Sequence, residues 1–315
     1  MARDLYGANA VGEVSSGKDL DPSYNINLDR YRRLRFRVNI SGGRSGDGDG
    51  IQITLRSLPG SPPDLSDLEI EEDIINNFRP LNGMIWVTGP TGSGKSTLVA
   101  SLLKDRLEDP EAHEKVLEYS SPIEYVYDEV EMPNSIVFQS HAGKHIKPRE
   151  GSGESEFAYC VRNGMRRCPT IVNLGETRDT ETMQAAVSIA QTGHLLISTL
   201  HTTSVADTLS RAINLFPYAS QRANAHSILS TLRMVVCQIL VPRKGGGQVG
   251  CREYLVFDRQ VRDSFTAIDY GAWPAHARSL LLERRGRGQT MIDSGRKLLQ
   301  QGRITPQTFE FIASV

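Results

Sequence analysis

The sequence lacks the features that mark several classes of protein. It contains no run of eighteen apolar residues and opens on no charged-then-apolar leader, so we expect a cytosolic chain that is at most peripheral to a membrane. Its four cysteines form no Cys-x-x-Cys pair, which favours reduced thiols over a zinc site or disulfides. Its 36 basic and 37 acidic side chains nearly cancel, so composition gives no sign of a general nucleic-acid-binding surface.

The length and the N-terminal pattern predict two domains. At 315 residues, with 39% apolar and 23% charged residues, the chain has an ordinary globular composition. Two alternating stretches, Leu34–Ile40 and Ile51–Ser57, predict an antiparallel hairpin around a flexible loop, Ser41–Gly50. The stretch Leu58–Asp64 has the proline and glycine content of a linker. We therefore expect a small domain over residues 1–60 and a second domain over residues 61–315.

From Leu65 onward, apolar strand patterns alternate with amphipathic helix patterns. This alternation predicts an α/β domain with a largely parallel sheet. The predicted strands are 84–88, 115–119, 170–174, 195–200, 235–241 and 251–257. The predicted helices are 96–109, 180–192 and 204–216, and residues 258–315 have a helical pattern throughout.

The stretch Gly89–Ser96 matches the phosphate-loop pattern Gly-x-x-x-x-Gly-Lys-[Ser/Thr] at every position. Its glycines allow backbone N–H groups to turn toward a phosphate chain, and the following helix adds its partial positive charge. We expect Lys95 to reach the β- and γ-phosphates of a nucleoside triphosphate and the Ser96 hydroxyl to hold Mg²⁺. The predicted nucleotide-binding residues here are Gly89, Pro90, Thr91, Gly92, Ser93, Gly94, Lys95, Ser96 and Thr97.

Two carboxylates and two histidines stand at the ends of other predicted strands. Glu176 follows an apolar strand that ends in glycine, where an acid that helps to hold Mg²⁺ is expected. Glu124 follows the preceding strand and is placed to polarise the attacking water; the alternative for each glutamate is an ordinary surface residue. His194 and His201 bracket the strand Leu195–Leu200, which suggests a γ-phosphate sensor, although a histidine at such a position is usually structural.

Four segments together resemble the type II/type IV secretion ATPase superfamily, which includes the PilT pilus-retraction motors. Gly89–Thr97, Ser121–Glu124, Leu174–Thr182 and Gln191–Thr203 are similar to its Walker A, Asp-box, Walker B and His-box motifs, in that order. The resemblance implies a RecA-like P-loop domain preceded by a PAS-like α+β domain. It also implies a ring-shaped homohexamer with ATP bound between these domains.

The resemblance also assigns roles to individual residues. It implies that Lys95 and Ser96 bind phosphate and Mg²⁺. Glu124 corresponds to the general base, and Glu176 to the Walker B acid near Mg²⁺. In the same way, His194 and His201 correspond to the catalytic His-box pair. The N-terminal arginines Arg37 and Arg56, and Arg178 of the Walker B motif, correspond to residues that contact the nucleotide.

Some positions depart from the superfamily pattern. Ser120 and Ser121 stand where Glu-Asp is common, and Thr170 stands where Asp is common. The stretches Glu118–Asp128 and Tyr254–Phe257 are more similar to the DotB-like branch, which serves type IVB secretion and plasmid conjugation. The chain also begins inside the family's N-terminal domain, so we expect that domain to be truncated.

We therefore expect a hexameric cytoplasmic ATPase that powers type IVB secretion or conjugative transfer. The expected partners are other subunits of the ring and components of an inner-membrane secretion or conjugation complex, with peripheral association at that membrane and no direct contact with nucleic acid. Retraction of a type IV pilus is the alternative within the same chemistry. A RecA-like nucleic-acid motor and a non-catalytic P-loop scaffold are less favoured alternatives.

Overall fold

The computed structural model describes residues 1–29, 33–46, 48–283 and 287–314. Within the chain, two compact units are distinguished. The first comprises Met1–Pro62 together with Pro122–Glu129, and the second comprises Pro63–Ser121 together with Val130–Val315. The short segment Pro122–Glu129 thus belongs to the first unit although the chain on both sides of it belongs to the second.

In its described residues, the first unit is a three-stranded antiparallel sheet with two short helices. Its elements are α1 (Ala2–Tyr6), α2 (Ala10–Ser15), β1 (Ser23–Asn27), β2 (Arg33–Ser45) and β3 (Gly48–Leu58), with strand order β1-β2-β3. Its buried apolar core combines α2 with β2 and the chain before β1, and its members are Ala10, Val14, Leu20, Val38 and Ile40. The PAS-like identity of this unit stays a prediction.

The predicted hairpin is confirmed, but the long loop predicted at 41–50 is wrong. Pairing between β2 and β3 continues through the glycine-rich stretch as far as Ser45 opposite Gly48. Gly46 adopts a φ of 60°, a left-handed conformation that lets the chain reverse within a tight turn. Asp47, which also belongs to the predicted loop, lies outside the described residues.

The second unit is an α/β structure around an eight-stranded sheet, which confirms the predicted fold class. Its strands are β4 (Gly83–Thr88), β5 (Lys115–Ser120), β6 (Ile136–His141), β7 (Ile171–Leu174), β8 (Leu195–Leu200), β9 (Leu232–Pro242), β10 (Gln248–Val256) and β11 (Gly288–Gln289). Their order is β11-β10-β9-β4-β8-β7-β5-β6. The sheet is mixed, because β4 to β9 pair in parallel whereas β10 and β11 pair antiparallel.

Eleven helices accompany this sheet in the described part of the second unit. They are α3 (Leu65–Leu68), α4 (Glu72–Asn77), α5 (Lys95–Glu108), α6 (Glu156–Met165), α7 (Thr180–Gln191), α8 (Val205–Asn214), α9 (Tyr218–Thr231), α10 (Arg259–Thr266), α11 (Trp273–Leu282), α12 (Met291–Gln300) and α13 (Pro306–Ser314), with a 3-10 turn at Tyr270–Ala272. The predicted helical pattern over 258–315 is interrupted by β11, and residues 284–286 and 315 of that stretch lie outside the described residues. Among the residues that the structure describes, no helix combines the length and the apolar character needed to cross a membrane.

The wholly buried strand β4 lies inside the sheet, between β8 and β9. Met84 and Trp86 of β4 belong to a large apolar core that also contains residues of α6 to α11. Because β4, β5, β7 and β8 are parallel, their carboxyl ends meet at one edge of the sheet. The chain leaves that edge through Gly89, Gly175 and His201, which places the three motifs that lie wholly in the second unit at the same edge.

Candidate functional site

The loop Gly89–Gly94, between β4 and α5, is built on three glycines in the left-handed region. The φ angles of Gly89, Gly92 and Gly94 are 146°, 79° and 78°. A Cβ atom on Gly89 would lie 2.2 Å from the backbone oxygen of Gln238, so any larger residue would displace the chain. The loop conformation therefore depends on glycine both for its dihedral angles and for its packing.

The loop also holds the ammonium group of Lys95. The Lys95 Nζ donates to the backbone oxygens of Gly89 (2.9 Å) and Pro90 (2.8 Å), and the residue is 8% exposed. Within the described residues, the Ser93 hydroxyl is buried in the same loop and has no hydrogen-bond partner. The loop thus presents a positive charge and a buried hydroxyl at the N-terminus of α5, where the helix adds its partial positive charge.

Two buried polar side chains on the neighbouring strands β9 and β10 support the loop through hydrogen bonds. Gln238 of β9 donates from Nε2 to the backbone oxygen of Ser93 (2.6 Å), and its Oε1 accepts from Nε of Arg252 on β10 (2.6 Å). Arg252 also donates to a carboxylate oxygen of Glu71 (3.1 Å). Sequence reasoning missed both residues; the available signal was a glutamine within the apolar run 235–241.

Glu176 and His201 meet at the carboxyl ends of β7 and β8. The Nε2 of His201 lies 3.8 Å from Oε2 of Glu176, and Nη1 of Arg178 donates to Oε1 of Glu176 (3.0 Å). The Thr199 hydroxyl of β8 donates to the backbone oxygen of Gly175 (2.6 Å), which ties the Glu176 turn to the neighbouring strand. Three of the predicted site residues are therefore brought together.

The pKa of His201 is lowered from its ordinary value. Burial of the ring is the largest cause, and the positive charge of Lys95 acts in the same direction, whereas the carboxylate of Glu176 opposes both. At neutral pH the imidazole is therefore largely neutral. One of its ring nitrogens then donates a hydrogen bond and the other accepts one.

His194 lies at the opposite end of β8 from His201. Its backbone oxygen accepts from the N–H of Gly83 at the start of β4, and its Nδ1 lies 3.1 Å from the Thr192 hydroxyl. Seven residue steps along β8 separate the two histidines, a distance of about 23 Å at ~3.3 Å per residue. The structure therefore does not bring the predicted histidine pair together, and only one of the two lies beside Glu176.

Glu124, Arg37 and Arg56 belong to the first unit. Arg37 on β2 is paired in register with Arg56 on β3. The Arg37 guanidinium donates to both carboxylate oxygens of Asp21, at 2.6 and 3.2 Å, a partner that the sequence did not indicate. Glu124 is half-buried in the segment Pro122–Glu129.

A pocket of about 210 Å³ lies in the second unit beside the glycine loop. Gly94 and Thr97 line one side of it, at the start of α5. Gln238 and Arg252 line another side, and Arg243 extends the wall along the hairpin of β9 and β10. The pocket thus adjoins the loop on the side of the residues that support it.

Comparison with known proteins identifies the family of this chain. Residues 27–303 match the type II/IV secretion system protein family, and the chain belongs to that family. It is 36% identical over 230 residues to the type IV pilus retraction ATPase PilT of Pseudomonas aeruginosa. That alignment covers 73% of this chain and 62% of PilT, so the chain spans less than two thirds of that relative's length.

Two solved structures share the fold over nearly the whole chain. The Legionella pneumophila ATPase DotB is 39% identical, with a TM-score of 0.87 over 99% of this chain and 82% of DotB. A pilus retraction motor PilT with bound ADP is 29% identical, with a TM-score of 0.81 over 99% of this chain and 82% of that one. The resemblance to the secretion ATPase superfamily, including its DotB-like branch, is confirmed.

The opposite effects of the Lys95 and Glu176 charges on the pKa of His201 give a test of the site. Lys95→Ala should raise the pKa of His201, because a positive charge that disfavours the imidazolium is lost. Glu176→Gln should lower the same pKa, because a negative charge that favours the imidazolium is lost. Both changes are measured by NMR titration of the imidazole without nucleotide.

Lys104→Ala is the matched control for this titration. Lys104 lies on the same helix, about 13 Å further along at ~1.5 Å per residue, and its loss should leave the His201 pKa unchanged. A His201 pKa that stays constant in both Lys95→Ala and Glu176→Gln would contradict the described geometry.

Proposed function

We propose that this chain is an ATPase that hydrolyses ATP in the presence of Mg²⁺. The observation that carries the proposal is the glycine loop with Lys95 inside it, next to His201 and Glu176 at the same edge of the sheet. The ATPase names of the relatives and the ADP bound in the PilT structure support it.

The loop residues supply the binding of the phosphates in this proposal. The N–H groups around Gly92 and Gly94 and the N-terminus of α5 attract an anionic phosphate chain. Lys95, which is bonded to loop carbonyls in the described structure, transfers its hydrogen bonds to the β- and γ-phosphate oxygens. The buried Ser93 hydroxyl offers one further donor.

The residues present fit Mg²⁺, which prefers oxygen ligands. The exposed hydroxyl of Ser96 and the carboxylate of Glu176 are the donors proposed to hold it, directly or through water. When bound, the ion would supply positive charge that offsets part of the negative charge of the phosphates. Arg178, which donates to Glu176, orients that carboxylate and neutralises it in part.

The remaining roles follow the predicted assignments. Glu124 is proposed as the general base that accepts the proton of the attacking water. His201, neutral at physiological pH, is proposed to donate a hydrogen bond to the γ-phosphate. The pocket beside Gly94 and Thr97 is proposed to take the base and ribose, because it adjoins the loop that takes the phosphates.

We further propose that the chain works as a homohexameric motor of a type IVB secretion or conjugation system. The similarity to DotB over 99% of this chain supports this role. In this role the second unit is the RecA-like domain and the first unit the PAS-like domain. The ring is cytoplasmic and associates peripherally with an inner-membrane complex, without direct contact with nucleic acid.

Retraction of a type IV pilus is a second candidate role. The 36% identity to PilT favours it, and the ATPase chemistry is the same. A motor that acts directly on nucleic acid is less favoured, because the formal net charge of −1 offers no general attraction for a phosphate backbone.

Three single substitutions test the ATPase proposal. Lys95→Ala should weaken ATP binding and reduce turnover by a factor of about 10² to 10³, because a charge at the phosphates is lost. Glu124→Gln and Glu176→Gln should leave ATP binding largely intact while turnover collapses. Binding is measured with a fluorescent ATP analogue and turnover by phosphate release, and near-normal hydrolysis by Lys95→Ala would refute the assignment of the loop.

A second test asks whether activity depends on assembly. In-line displacement develops charge on the γ-phosphate, and arginines supplied by a neighbouring chain typically account for a factor of about 10³ to 10⁵ in rate. We therefore expect specific activity to rise with protein concentration as rings form, and Arg37→Ala or Arg56→Ala to bind ATP and assemble yet hydrolyse slowly. Activity per chain that stays flat from monomer to hexamer, with both variants fully active, would exclude this mechanism.

A third test separates the two biological roles. The Lys95→Ala allele, placed in the chromosome of the native host, should abolish protein secretion or conjugative DNA transfer and leave surface motility unchanged. Both phenotypes are measured in the same strain, with the wild-type allele restored as the control. Loss of twitching motility with intact secretion and transfer would favour pilus retraction instead.

A further inference from the structure

One arginine of the first unit donates hydrogen bonds to the segment Pro122–Glu129, which carries the proposed base Glu124. Arg35 lies on β2, and its Nη2 donates to the backbone oxygen of Ile123 at 2.7 Å. Its Nη1 donates to the backbone oxygens of Glu124 (2.8 Å) and Pro59 (3.0 Å). One guanidinium thus joins the end of the β2–β3 hairpin to two consecutive carbonyls of the segment.

Other contacts join the same segment to β2 and to the chain after β3. The N–H of Val126 donates to the backbone oxygen of Gly60 (3.1 Å), just after β3. Asp128 forms an exposed ion pair with Arg33 of β2, with Nη1 and Oδ2 3.6 Å apart. Tyr127, at 2% exposure, is buried. The segment is therefore anchored at several points, with the Arg35 contacts directly at Glu124.

We propose that Arg35 is a positioning residue for ATP hydrolysis, which fixes the direction of the Glu124 side chain. This inference rests on the proposed role of Glu124 as general base. The two carbonyls that Arg35 binds belong to the two planar peptide groups on either side of the Glu124 Cα. Fixing both planes fixes φ and ψ of Glu124, and with them the direction of its Cα–Cβ bond.

The planar guanidinium is suited to this task. Its N–H groups point in fixed directions, so it can hold two carbonyls in one defined geometry, whereas the ammonium of a lysine is a flexible point charge. The donors of Arg35 named above are directed at backbone oxygens, while Arg37, two residues along the same strand face, binds the Asp21 carboxylate. The two arginines therefore have different functions: Arg35 acts on the protein backbone around the base, and Arg37 is the one proposed to act on phosphate.

Kinetics of Arg35 variants test the proposal. Arg35→Ala should lower kcat by a factor of about 10 to 10², because a small misplacement of a reacting group has this effect, and leave KM for ATP within about twofold. Arg35→Lys should recover only part of the loss, because it keeps the charge and lacks the planar fork. Arg44→Ala, an exposed arginine on the same strand, is the matched control and should be indistinguishable from wild type.

A double-mutant cycle distinguishes positioning from direct action on the phosphates. In a Glu124→Gln background, Arg35→Ala should cost less than about twofold further, since the residue that Arg35 positions is already inactive. Losses that multiply would show that Arg35 acts independently of Glu124 and would overturn the proposal. A fully active Glu124→Gln variant would refute the proposed base itself, whereas an inactive Glu124→Gln with a fully active Arg35→Ala would refute only the role of Arg35.

Hydrogen exchange separates loosening of the segment from unfolding. The amide of Val126 should exchange faster in Arg35→Ala, because its bond to Gly60 opens once the segment is released. Both tryptophans, Trp86 and Trp273, are fully buried in the second unit, so their fluorescence should show an unchanged unfolding midpoint there. If Arg35→Ala does not fold, the Arg35→Lys variant tests the proposal instead. Full kcat together with unchanged exchange of the Val126 amide in Arg35→Lys would overturn the proposal.

Discussion

The parallel pairing of β4 with β8 is the constraint on which the candidate site depends. The register places Thr88 opposite Leu200, so Gly89 and His201 leave neighbouring strands at the same level. A shift of one residue would turn the side chains of a strand to the opposite faces of the sheet, and the buried strand β4 makes that shift costly. Lys95 acts on the pKa of His201 because this register holds, although more than a hundred residues separate them in sequence.

The site residues that a local sequence pattern marks could be predicted from the sequence. The phosphate loop, Glu176 and His201 each stand directly after an apolar strand, and the alternation of strands and helices placed these strand ends at one edge. The separation of His194 from His201 also follows from strand length. The prediction of a histidine pair was nevertheless wrong, because His194 precedes its strand and only His201 stands at the carboxyl end, on the edge that carries the phosphate loop.

Contacts between distant segments could not be predicted, since no local pattern encodes them. Gln238 and Arg252 support the loop only because β9 and β10 pair beside it, and the buried guanidinium of Arg252 donates hydrogen bonds to Gln238 and to the carboxylate of Glu71. Breaking such a buried network on one side leaves a charge without compensation, which typically destabilises a protein by about 3–5 kcal/mol. The extended pairing of β2 and β3 was missed for a related reason: backbone hydrogen bonds continue through a glycine-rich stretch whose side chains give no strand signal.

The membership of Pro122–Glu129 in the first unit has a consequence for the connectivity of the protein. The chain passes between the units after Pro62, after Ser121 and after Glu129, so the units are joined by three covalent connections and no single cut separates them. A fragment that begins at Pro63 would retain the whole phosphate loop but lose the strand that holds the segment of Glu124. Neither unit can therefore be exchanged as an independent module without rebuilding that insertion.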